Sequence, residues 1–175
     1  VTDSAPAASI TVRGRYIIGG VAGLNLTGAN ITYNTSNNII PVTVQANECA
    51  GGVAGVNCGN IALGSTTLQV NITAESYAGG IAALNEGTIT GCANESAPVT
   101  HNEKATSSYY ALAGGIAGQN SGTIALSYNL ARVTGGNENI GHIGGIAGKN
   151  ESAGTIESCY KISRPALILA ALRAI

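Results

Sequence analysis

The sequence of 175 residues contains no Phe, no Trp and no Met, and its 4% aromatic content consists of seven tyrosines. Without large rings, any core must be built from small aliphatic side chains. Charge is scarce as well: 10% of residues are charged, with eight Lys and Arg against nine Asp and Glu, for a net charge of −1. Soluble domains average about 25% charged residues. The lack of a basic excess argues against nucleic-acid binding and against a polybasic membrane contact. No apolar run approaches the ~20 residues of a spanning helix. Asp3 is the single aspartate, whereas calcium-binding repeats need Asp at fixed places in every coil. The glutamates are neither paired nor clustered along the chain, as polysaccharide-cleaving sites require. HExxH, a serine-nucleophile motif and a phosphate loop are all missing. These absences predict a chain that is not an enzyme and holds no cofactor or metal.

What the chain does have is 45% hydrophobic residues and 25 glycines. The glycines lack the three-residue period of collagen. High apolar content with low net charge argues against disorder, and the length suits one domain. A core of Ala, Val, Ile, Leu and Gly is necessarily thin, which points to a repetitive, quasi-one-dimensional fold.

One motif occurs five times: GGVAGLN at Gly19–Asn25, GGVAGVN at Gly51–Asn57, GGIAALN at Gly79–Asn85, GGIAGQN at Gly114–Asn120 and GGIAGKN at Gly144–Asn150. Each copy is followed by a second element: GANI at Gly28–Ile31, GNI at Gly59–Ile61, then GTI at Gly87–Ile89, Gly122–Ile124 and Gly154–Ile156. Most copies are preceded by a short β-branched alternation: Ile10-Thr-Val12, Val42-Thr-Val44, Val70-Asn-Ile72 and, less regularly, Arg132-Val-Thr134. Such alternation bounded by turn residues signals strands.

A unit of this kind buries its apolar face only by stacking on copies of itself. The expected fold is all-β: a parallel β-helix, or β-solenoid, of about five coils of roughly 31 residues with three short strands each, spaced ~4.8 Å apart. Val21, Val53, Ile81, Ile116 and Ile146 should form an internal ladder. Asn25, Asn57, Asn85, Asn120 and Asn150 should form a structural amide ladder at turns. The double glycine should serve either a bend with unusual backbone angles or a close backbone approach. The predicted organisation is residues 1–9 as an arm or linker, 10–162 as the solenoid, and 163–175 as an apolar helical or extended cap, or an assembly arm. The chain begins with Val1 and has no basic-then-apolar leader, and reads as a mature product or an excised fragment.

The repeat register also bears on the cysteines. Cys49 is level with Tyr77, Leu112 and His142, and Cys58 with Glu86, Ser121 and Glu151. Cys92 and Cys159 share a position, but Ser127 falls between them. Two coils of ~4.8 Å exceed the ~7 Å limit between bridged Cα atoms. No disulfide is expected, Cys49–Cys58 across one bend being the least unfavourable pair, and Cys92 and Cys159 should be small core residues. Six Asn-x-Ser/Thr sequons, at Asn25, Asn30, Asn34, Asn71, Asn94 and Asn150, are expected from an Asn- and Thr-rich composition.

The GGIAGxN and GTI elements, followed by Ser127-Tyr128 or Cys159-Tyr160, resemble the GLUG repeat. That repeat occurs in large bacterial surface and secreted proteins, among them adhesin-like proteins and some immunoglobulin-A-specific metallopeptidases. The resemblance covers most of residues 10–162 and is strongest in the last three copies; the first two carry GANI and GNI in place of GTI. It implies a cell-surface β-solenoid and an extracellular or cell-surface location. The peptidase activity of some members belongs to other domains and does not carry over.

One interval departs from the repeat. From Ile89 to Gly114 there are 25 residues, against 20, 18 and 20 in the other intervals. The excess, Ala97–Tyr110, holds His101, Glu103, Lys104, Tyr109 and Tyr110 and is the candidate ligand-binding loop, because solenoid insertions map to loops on a binding face and tyrosine suits recognition. A smaller insertion, Gly135–Gly141, precedes the fifth copy. His101 and His142 are the only histidines and are expected to be exposed. The functional expectation is a non-enzymatic structural or adhesive module, a stiff solenoid presenting binding loops to a host or cell-surface glycan or protein. The alternative is a self-assembling filament subunit stacking head-to-tail on copies of itself. A glycan-processing β-helix enzyme is the least favoured reading.

Overall fold

A computed structural model describes residues 10–33, 42–63, 70–95, 98–101, 111–135 and 141–162. The segments expected to form the N-terminal arm and the C-terminal cap lie outside these residues. Among the described residues every regular element is a strand and every strand pairing is parallel. The chain is a β-solenoid of five rungs, with 28 to 35 residues between equivalent positions.

Each rung has four strands, and the upper three have five, where the sequence suggested three. The first sheet stacks Ile10–Gly14, Val42–Ala46, Val70–Ala74, Val99–His101 and Val133–Thr134. The second stacks Ile17–Gly19, Cys49–Gly51, Tyr77–Gly79, Ala111–Gly114 and Gly141–Gly144. The third holds Ala22–Asn25 through Ala147–Asn150, and the fourth Asn30–Tyr33 through Thr155–Glu157. A fifth, shorter sheet joins Ala93–Asn94, Tyr128–Asn129 and Tyr160–Lys161. The extra strands were hidden in the sequence because the GGxAGxN motif is itself a strand end, a tight bend and a second strand.

The motif's double glycine serves close approach rather than unusual φ. A Cβ on the first glycine of every copy would fall on the carbonyl oxygen of the alanine three residues later, as Gly79 does on Ala82. A Cβ on the second would fall on the glycine carbonyl of the next rung, as Gly80 does on Gly115. The interior is correspondingly narrow. Val53, Ile81 and Ile116 are fully buried, and the ladder runs through backbone bonds from Val53 N–H to Ile81 O, Ile81 N–H to Ile116 O and Ile116 N–H to Ile146 O. Ile61, Ile89 and Ile124 form a second buried ladder in strict register. Each fully buried side chain of this size stabilises by about 1.5–3 kcal/mol. The end members are less covered: Val21 is 56% and Ile156 37% exposed.

A second packing rule appears where the first and second sheets face each other. One ladder runs Gly14, Ala46, Ala74, His101 and Gly135; the facing ladder runs Ile18, Ala50, Ala78, Ala113 and Ile143. Large residues face small ones. Ile18 fills the space beside Gly14 and Ile143 that beside Gly135, while paired alanines share the space in the second and third rungs.

The corner leading into the fifth sheet turns through left-handed residues at one register: Gly91 (φ 61), Leu126 (φ 50) and Ser158 (φ 51). Leucine pays about 1–2 kcal/mol for that conformation, whereas asparagine tolerates it, and Leu126 is 67% exposed. Leu126→Asn is therefore expected to raise the melting temperature by about 2–4 °C, as read by calorimetry.

Candidate functional site

The five motif asparagines form one continuous amide ladder. Asn25 Nδ2 donates to Asn57 Oδ1 at 2.7 Å, Asn57 to Asn85 at 2.8 Å, Asn85 to Asn120 at 2.7 Å and Asn120 to Asn150 at 2.7 Å. Each of the first four also donates to a backbone carbonyl of the next rung, those of Asn60, Thr88, Thr123 and Thr155. The first four residues are buried and spend their amides on these bonds, while Asn150, at the end of the row, is exposed. A second asparagine pair, not singled out from the sequence, ties the fifth sheet to the double-glycine bends. Asn94 Nδ2 donates to Gly115 O and Asn129 Nδ2 to Gly145 O, both at 2.9 Å. Their signal was their shared place five residues after the repeat isoleucines Ile89 and Ile124.

All four cysteines are free. Cys92 is fully buried and Cys159 partly buried against the same core, with buried Ser127 between them in register. Burial, with Glu48 beside it, pushes the Cys49 thiol up to about 11. Burial and a bond to Glu86 at 3.5 Å also raise Cys58. Both shifts keep the thiols protonated and poorly nucleophilic. The sequon asparagines Asn25 and Asn94 are buried in hydrogen bonds.

His101 is not an exposed loop residue. It ends the strand Val99–His101 and points inward in the Gly14–Ala46–Ala74–His101–Gly135 ladder, opposite Ala113, with 1% exposure. Its Nε2–H donates to the Glu75 carbonyl oxygen of the rung below, and Nδ1 has no partner among the described residues. The Val-Thr pair at 99–100 matches Val133-Thr134 and marks this strand; the absence of a longer alternation concealed it. His142 is exposed, as expected. Glu103, Lys104, Tyr109 and Tyr110 lie outside the described residues.

The strands that flank the two insertions are neighbours. The strands before and after each insertion pair with one another, Val99–His101 with Val133–Thr134 and Ala111–Gly114 with Gly141–Gly144. Both insertions thus leave the same corner, between the first and second sheets, on adjacent rungs. In the three rungs below, that corner is a short turn: Arg15-Tyr16, Asn47-Glu48 and Glu75-Ser76. These turns stack through bonds from Asn47 N–H to Arg15 O, Glu75 N–H to Asn47 O and Ser76 N–H to Glu48 O.

A groove of about 540 Å³ runs along these turns, lined by Arg15, Tyr16, Asn47, Glu48, Glu75, Ser76 and Tyr77. A smaller depression on its flank adds Arg13, Gln45 and Thr73 and shares Asn47 and Glu75. The Arg15 guanidinium lies 5.4 Å over the Tyr16 ring, a cation–π distance. None of these groove residues was singled out from the sequence, because single turn residues 28 to 32 positions apart look unremarkable until the rungs stack them. The groove also places two carboxylates, Glu48 and Glu75, on adjacent rungs. Among the described residues no group of three or more His, Cys, Asp or Glu is placed to hold a metal, and no helix is long and apolar enough to cross a membrane. Searches against protein families, curated proteins and solved structures find no match to this chain.

Proposed function

We propose that the chain is a non-enzymatic structural and adhesive module of a bacterial extracellular or cell-surface protein. The observation that carries this reading is the corner. The strands that flank two insertions lie on adjacent rungs of a column whose register is held by buried amide and isoleucine ladders. A rigid scaffold that displays loops at one place is suited to recognition. The GLUG-like motifs agree with a surface location. The partner is a host or cell-surface glycan or protein.

Beads coated with the chain are expected to adhere to epithelial monolayers, and the double variant Tyr109→Ala, Tyr110→Ala to lose most of that adhesion. Adhesion no better than that of albumin-coated beads would refute the reading, as would turnover of a glycan by the chain.

A second reading has its own observation. Among the described residues, both terminal rungs expose inward ladder residues, Val21 at one end and Ile143 with Ile156 at the other. Unpaired strand edges with apolar ends favour addition of a further rung, here head-to-tail from a second copy. Light scattering that shows rods lengthening with concentration supports this filament subunit; a monomer at all concentrations refutes it.

A further inference from the structure

We propose that the groove along the turns of the first three rungs is a binding site for a neutral oligosaccharide; this rests on the adhesive reading and names its ligand class. The chain is poor in charge and aromatic rings, with eight basic and nine acidic residues and seven tyrosines in all. Yet Arg13, Arg15, Glu48, Glu75, Tyr16 and Tyr77 converge on this one corner and its flank. Such a concentration is not a requirement of the fold. The third rung uses Glu75-Ser76 where the second uses Asn47-Glu48 and the first Arg15-Tyr16, so the turn itself accepts any of these side chains.

The chemistry of the lining selects the ligand. Two guanidinium groups are balanced by two carboxylates, so an anionic chain would meet Glu48 and Glu75 and a cationic one Arg13 and Arg15. An apolar ligand would strip water from these charged groups, which is costly. A neutral polyol satisfies them all, since each hydroxyl can both donate to a carboxylate and accept from a guanidinium or from the Asn47 amide. The Tyr16 ring, 55% exposed, offers an apolar face to the C–H side of a sugar ring, and Arg15 holds that ring in place from one side. Tyr77 lies two rungs farther along the same groove, a distance of about 10 Å at the inter-strand spacing. That spacing suits an extended chain of sugar units lying along the rod axis, whereas a monosaccharide would reach only one ring.

The experiment is retention of fluorescent tetramers of glucose, galactose and N-acetylglucosamine on the immobilised full chain, with tetragalacturonate as the acidic probe. At least one neutral tetramer is expected to be retained, with an affinity that is the same at low and high salt. Tyr16→Ala and Glu48→Ala, both at exposed turn positions, are expected to weaken it about tenfold each, with unchanged circular dichroism. Retention of tetragalacturonate alone would overturn the proposal. So would retention lost in the Tyr109→Ala, Tyr110→Ala variant but intact in the two groove variants. Both of those results leave the adhesive reading standing. Coated beads that adhere to cells while no neutral tetramer is retained would overturn the groove assignment only. Beads that fail to adhere while a neutral tetramer is retained at Tyr16 would overturn the adhesive reading only.

Discussion

Asn85→Leu is expected to destabilise the protein by about 3–5 kcal/mol, although leucine nearly matches asparagine in shape. Asn85 is 1% exposed and sits at the middle of the amide ladder. Its Oδ1 accepts from Asn57, and its Nδ2 serves Asn120 Oδ1, Thr123 O and Gly87 O. Leucine leaves Asn57 Nδ2 with Thr88 O alone and leaves Asn120 Oδ1 without its donor. Each buried polar group stranded in this way costs about 1–3 kcal/mol, and the low local dielectric makes a half-satisfied network worse than none. The melting temperature should fall by about 10 °C. Asn60→Leu serves as the comparison, because its 2.9 Å bond to Asn30 lies at the exposed surface; a loss there equal to that of Asn85→Leu would show that the buried ladder is not what holds the rungs.

Asn85→Asp makes the same point through pH. The new carboxyl would keep one donor, Asn57 Nδ2, but face three acceptors, Asn120 Oδ1, Thr123 O and Gly87 O, in a buried site. Only its protonated form can donate to one of them. Its pKa in the folded state should therefore be raised above the ordinary ~3.9. Below ~3.9 both folded and unfolded chains carry the proton, and the variant keeps its remaining stability. As pH climbs from there through the raised value, the folded state holds a proton that the unfolded state has lost, and stability declines. Denaturation midpoints at pH 4 and pH 7 should thus fall in that order for the variant, with a smaller change for the parent.

The solenoid was legible in the sequence because its period is written in residues that face inward. The isoleucine and asparagine positions recur at nearly fixed offsets, and the pairings Ile61↔Ile89↔Ile124 and Asn57↔Asn85↔Asn120 follow them. The strand count was not legible, since strands such as Ile17–Gly19 and Ala93–Asn94 are too short to show an alternation. His101 was misread for a related reason. Its position is Gly, Ala, Ala, His and Gly in successive rungs, and only the facing ladder, with Ala113 opposite, shows that the imidazole fills core volume. The groove escaped notice because binding surfaces on a solenoid are assembled across rungs. Tyr16, Glu48 and Ser76 share no motif and meet only through the stacking of their backbones. The insertion was visible as excess length, and its flanking strands, Val99–His101 and Ala111–Gly114, pair in register with Val133–Thr134 and Gly141–Gly144.

Gly79→Ala is expected to be the most damaging single-methyl addition, costing more than about 4 kcal/mol. That is a large part of the 5–15 kcal/mol that stabilises an ordinary domain. The added carbon would overlap the Ala82 carbonyl oxygen, and it would lie 2.6 Å from the Ala82 carbonyl carbon and 2.9 Å from Gly118 N. All of these are backbone atoms, so no rotamer change can relieve the overlap. Widening the bend would move Ile81, whose backbone bonds to Val53 below and Ile116 above are both 2.9 Å, and the disturbance would spread to both neighbouring rungs. Gly28→Ala is the instructive contrast. Gly28 has φ +81, yet nothing lies within 4 Å of an added Cβ, so only the left-handed strain of about 1 kcal/mol applies. Leu126, which holds φ 50 with a full side chain, shows that this fold bears such strain. Urea midpoints should therefore rank parent, Gly28→Ala, then Gly79→Ala far below. Equal midpoints for the two variants would mean that the bend has slack and that the repeated double glycine is not a contact between backbones.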